Sequence, residues 1–159
     1  MRDLVIDNKG VEGLPLKLLI VAIIMGISIP AVLASWHNAE RQHTENSLRS
    51  ELNYLIVRIV QVYQAGPGNA VSVELNLESG VLSSIEYVLV GDNLVSPWRS
   101  AIRWKLSGQA EDTFAIDDGI PVCSTDGGAL RLSPGWHSVY LEAKKEESGL
   151  LFVEISVLD

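Results

Sequence analysis

The chain has 159 residues, 47% of them hydrophobic and 20% charged, which is the length of a single domain and too apolar for general disorder. Its net charge of −8 arises entirely after residue 36, where 17 acidic residues outnumber 9 basic ones. No basic stripe with interleaved aromatics occurs, so nucleic acid is not an expected partner. The single cysteine, Cys123, excludes an internal disulfide and, within the apolar stretch GIPVCST, reads as a small buried hydrophobe.

Residues 1–10, MRDLVIDNKG, form a short leader of mixed charge. From Leu14 to Trp36 the only formal charge is Lys17. As a helix this run would extend about 34 Å, close to the hydrocarbon thickness of a bilayer. No polar face can be drawn through LLIVAIIMGISIPAVLA, so such a helix has to be covered on every side, by lipid or by other protein. Trp36 suits one membrane interface and Lys17 can snorkel to the other. Arg2, Lys9 and Lys17 before the span, against Arg41 and Arg49 after it, favour a cytoplasmic N-terminus and an external carboxyl-terminal domain.

Three fates suit such a segment: a permanent anchor, a cleaved secretory signal and an assembly helix. VLAS places Val32 and Ala34 at the small-residue positions of a signal-peptidase site, with Ser35 as the new terminus. Against that, the segment before the apolar core is long and carries Asp3, Asp7 and Glu12 beside Arg2, Lys9 and Lys17, whereas the start of a signal sequence is short and plainly positive. The ending NKG directly before an apolar run resembles the precursors of type IV pilin-like proteins, specifically archaeal pilins and archaellins with their class III signal peptides. The resemblance covers about a third of the chain. It implies that a prepilin-type peptidase recognises Lys9 and Gly10 and cuts after the glycine, leaving Val11 as the mature terminus. It also implies that residues 11–36 assemble with other pilin-like subunits into a homo- or hetero-oligomeric surface filament. Glu12, second in the mature chain where bacterial pilins carry a glutamate at the fifth position, would take the assembly role of pairing with a neighbour's terminal amine. Pro30 removes a backbone bond to Gly26, so GISIP is expected to kink the helix.

Past Trp36 the pattern becomes amphipathic without a turn signal. In residues 37–65, Leu48, Leu52, Leu55, Ile56, Ile59, Val62 and Tyr63 recur at spacings of three and four, with Arg49, Glu51, Arg58 and Gln61 on other faces. This stripe is expected to pack on the domain that follows. Gly66, Pro67 and Gly68 should end the helix.

From Ala70 the period changes to two. VSVELNLES, SSIEYVLVGDN, SAIRWKLSGQ, DTFAID, IPVCS, ALRLS, HSVYLEAKKE and LLFVEISVLD read as strands separated by Gly, Asp, Asn and Ser-Pro-Gly turns, with no helical stretch. The last two read as a hairpin around EESG, with Val139, Leu141 and Ala143 on one face. The expected fold is α+β: a long N-terminal transmembrane helix followed by an antiparallel β-sandwich head over residues 66–159.

No catalytic constellation is apparent. His37 and His43 are six residues apart and do not share a helical face as metal ligands, and no paired Cys-x-x-Cys or phosphate loop occurs. Asp117-Asp118-Gly119 and Asp126-Gly127-Gly128 lack the alternating ligands of a calcium loop and read as turns. Ser133 and His137 form a local pair without an orienting carboxylate. No enzyme activity, metal or cofactor is expected. The sequence thus points to a filament subunit or, in a different functional class, to an anchored or secreted β-sandwich that binds a partner, for which Trp98, Trp104 and Trp136 are candidate contacts.

Overall fold

A computed structural model describes residues 9–81 and 83–158. It is α+β, with one long helix, α1 (Lys9–Ala65), followed by eight strands. By compactness the chain divides into residues 1–39 and 40–159. In the first unit α1 stays helical through both Pro15 and Pro30, so GISIP is helical throughout. Only the backbone of residues 9–14 is described.

The helix ends where the sequence requires it. Gly66 adopts φ +88°, a left-handed conformation that costs glycine little, and its N–H donates to the Tyr63 carbonyl at 3.1 Å. The Asn69 side-chain amide then donates to the carbonyls of Ala65 and Gly66 at 2.8 and 3.0 Å.

The second unit, residues 40–159, contains two four-stranded sheets. One has the order β1-β7-β8-β5, from β1 (Ala70–Leu77), β7 (Gly135–Lys145), β8 (Leu151–Leu158) and β5 (Val122–Ser124). The other has the order β4-β3-β2-β6, from β4 (Glu111–Ala115), β3 (Ala101–Leu106), β2 (Ile85–Val90) and β6 (Leu130–Leu132). Alternation sets the inward faces: Val73, Leu75 and Leu77 of β1 and Val139, Leu141 and Ala143 of β7 are all buried. On β2, Ile85, Val88 and Val90 all face inward despite a spacing of three between the first two. A bulge between Ile85 and Tyr87 absorbs the extra residue.

The sheets and the second half of α1 share one core. Leu48, Leu52, Leu55, Ile56, Ile59 and Val62 are buried in it, and Tyr63 packs partly buried against it. Burying one such aliphatic side chain contributes about 1.5–3 kcal/mol, which makes this stripe a principal stabiliser of the head. Near the strand crossings Gly91 has φ +64°, and a Cβ there would stand 2.1 Å from the Val122 carbonyl oxygen. Only glycine fits that backbone-to-backbone approach.

One pairing departs from the antiparallel pattern of the two sheets. β5 pairs with β8 in parallel, so the first sheet is not wholly antiparallel. The physical reason is the connection: β4 lies in one sheet and β5 in the other, so no hairpin turn dictates opposed directions. That connection also contains a single 3-10 turn at Asp117–Gly119, where the sequence reads as a turn.

Candidate functional site

The least ordinary surface is the apolar part of α1. Leu18, Ile27, Leu33 and Trp36 are 66%, 70%, 64% and 67% exposed, and the large apolar residues between Leu16 and Trp36 are exposed with them. Soluble monomers rarely expose a contiguous apolar patch beyond a few hundred Å². Among the described residues, α1 from Pro15 onward is the one helix long and apolar enough to cross a membrane. Its polar groups suit that setting: the Ser35 hydroxyl donates to the Ala31 carbonyl at 2.9 Å and so leaves no donor seeking water.

Residues 1–8, most of the segment expected to be a leader, lie outside the described residues. Lys9, Gly10, Val11 and Glu12 form the first turn of α1, with the backbone alone described. Gly26 and Pro30 lie well inside α1, and a Cβ at Gly26 would meet nothing within 4 Å. The helix-packing residues Leu48 to Tyr63 are brought together at the core.

Arg49 was not legible as more than an outward polar residue. Its Nε–H donates to Glu45 Oε1 at 3.0 Å and its Nη2 to Asp112 Oδ2 at 2.5 Å. The guanidinium also lies 5.2 Å from the Trp104 ring centroid and 5.1 Å from that of Phe114, two rings that pack 4.8 Å apart. One side chain therefore joins α1 to β3 and β4 by charge and by cation–π attraction. No local signal announces this, because the partners lie more than fifty residues away in the sequence.

The three candidate tryptophans separate. Trp104 is 1% exposed and belongs to the core, so it is not a contact residue. Strand parity carries the reason, since it alternates in phase with Ile102 and Leu106. Trp98 is 43% exposed with Arg103 5.3 Å from its ring, and Trp136 is 73% exposed.

The titratable groups of the head are mainly structural. The Tyr87 hydroxyl donates to Glu111 at 2.7 Å, and that bond holds its pKa above the usual phenol value. Hydrogen bonds to Glu86 and Glu154 raise Lys105 and Lys144 in the same way. Burial pushes the Cys123 thiol up, away from the thiolate a nucleophile requires. The His137 ring meets the Ser133 backbone carbonyl at 2.7 Å and not its hydroxyl, so the pair has no geometry for nucleophile activation. Among the described residues no group of three or more His, Cys, Asp or Glu side chains is placed to hold a metal.

Compared with known protein families, curated proteins and solved structures, the chain finds no match in any of the three. The functional reading therefore rests on its own residues and geometry.

Proposed function

We propose that this chain is a membrane-inserted, pilin-like structural subunit of a type IV pilus-like or archaellum-like surface filament. The observation that carries the reading is the character of α1. One unbroken helix is apolar and exposed on all sides over residues 16–36, then buries a single stripe in a β-rich head. A helix uncovered on every side calls for several neighbours or for lipid, and repeated helix-to-helix contacts that do not close generate a filament. In this reading the N-terminus is cytoplasmic, the head is external, and a prepilin-type peptidase removes residues 1–10. Glu12 then meets the terminal amine of a neighbour, an attraction strengthened by low dielectric.

The test is the mature N-terminus, read by intact mass and terminal sequencing of protein from native membranes. A chain beginning at Val11, with processing abolished by Gly10→Val, is the expected result. A terminus at Ser35 overturns the reading in favour of a secreted domain. An uncut Met1 overturns it in favour of an anchored binding module, the second reading, which draws its support from the exposed indole of Trp136.

A further inference from the structure

Among the described residues, most charged side chains on the outer faces of the two sheets have an ion-pair or aromatic partner. On the β4-β3-β2-β6 sheet, Arg103 stands 3.7 Å from Asp92 and 3.9 Å from Glu111, and Lys105 holds Glu86 at 2.9 Å. Arginines cover the aromatic rings there too, Arg103 over Trp98 and Arg131 over Tyr87. On the other sheet Lys144 reaches both Glu154 and Glu142.

At the far end of that second face, where Asn76 of β1 pairs with Trp136 of β7, this matching fails among the described residues. Trp136 alternates out of phase with Val139, Leu141 and Ala143, so its ring adds nothing to the core. Among the described residues no cation or second ring lies over it. Glu74, one step along β1 on the same face, is exposed and makes no ion pair among the described residues. Glu78 accepts from the Asn76 amide at 2.5 Å and Glu51 from the Asn76 N–H at 3.4 Å, again without a basic partner among the described residues. A shallow cleft of about 200 Å³ opens between Glu74, Trp136, His137 and Ser138.

We propose that this face docks a polypeptide partner through a lysine or arginine side chain seated on the Trp136 indole, with Glu74 as its counter-charge. The negative face of an indole attracts cations, and the attraction grows when the contact is desolvated. The head already uses this contact internally, with Arg49, Arg58, Arg103 and Arg131 each lying over a ring. A neutral sugar would stack on the indole but leave the surrounding carboxylates uncompensated. An acidic partner would be repelled by them and by the net charge of −8. The inference is separate from filament assembly and holds for an anchored protein as well.

The test uses the full chain in a polyoxyethylene detergent, which offers neither the quaternary ammonium of choline lipids nor the sugar of glycosidic detergents. Oligoarginine and oligolysine peptides are titrated by calorimetry, with an oligoglutamate and a neutral oligosaccharide alongside. Saturable binding of the basic peptides is expected, weakened about ten-fold by Trp136→Ala and several-fold by Glu74→Gln. Glu86→Gln, on the other sheet, leaves the affinity unchanged. Basic-peptide binding that survives Trp136→Ala intact overturns the assignment in favour of diffuse attraction to an acidic head. So does the absence of saturation up to about 1 mM, or binding of the oligosaccharide in place of the peptides. Thermal unfolding of both variants checks that the head remains folded.

Discussion

Leu33 and Leu52 are the same residue type in the same helix, yet one is 64% exposed and the other is fully buried. Helix propensity does not distinguish them. What differs is the distribution of apolar residues around the axis. Over residues 48–63, Leu48, Leu52, Leu55, Ile56, Ile59 and Val62 form one stripe buried in the core shared with the sheets, while Tyr54 and Val57 stay exposed. Over residues 16–36 apolar residues occupy every direction, and no single surface can cover them. The first pattern is solved within one chain, whereas the second is solved only by a surrounding medium of lipid or several other helices.

The contrast can be broken by substitution. Leu52→Ala should cost the head about 4 kcal/mol in denaturant unfolding of the full chain in detergent, through lost burial and a residual cavity. Leu33→Ala should move the same transition by no more than about 0.5 kcal/mol. Comparable losses would mean that the two halves do not differ in the way described. Ile27→Asp places a charge within the apolar half and should cost about 3 kcal/mol of insertion, seen as loss from the carbonate-resistant membrane fraction with head unfolding unaltered.

A smaller effect is expected from Arg49→Met, which keeps the stem but removes the charge. About 1–2 kcal/mol of head stability should be lost, and a double-mutant cycle with Asp112→Asn should show coupling between the two positions. Additive losses would reduce Arg49 to simple packing. The smallest effect concerns pH. The folded state holds the Cys123 proton more tightly than the unfolded chain, so this contribution is complete below the ordinary thiol value of 9.0 and is lost as pH rises toward the folded value. Cys123→Ala should flatten the stability profile just above pH 9. The later decline from Lys144, whose pKa is raised above 10.5, should persist.

All eight strands were legible, because turn residues separated them and a period of two marked the longer ones. The pairing of β5 was not. IPVCS is too short to show alternation, and its parallel partner is chosen by a crossing between sheets that local sequence does not encode. The places of Trp104 and Trp136 could have been read from parity, since one alternates with Ile102 and Leu106 and the other against Val139 and Leu141. Arg49 had no such signal, because its value lies in two rings and a carboxylate brought to it by tertiary structure. The unmatched carboxylates around Asn76 were equally hidden, for a charge is unpaired only relative to neighbours that folding supplies.

The position of β8 between β7 and β5 has a consequence for synthesis. A strand with partners on both sides cannot be added as trim, and β1 must also wait for β7 before it has a neighbour in its own sheet. During translation the stripe on α1 therefore leaves the ribosome seconds before any surface exists to receive it. Early commitment of the apolar half to a membrane would hold the growing chain in place meanwhile, and a chaperone that shields residues 48–63 would be needed most in that interval.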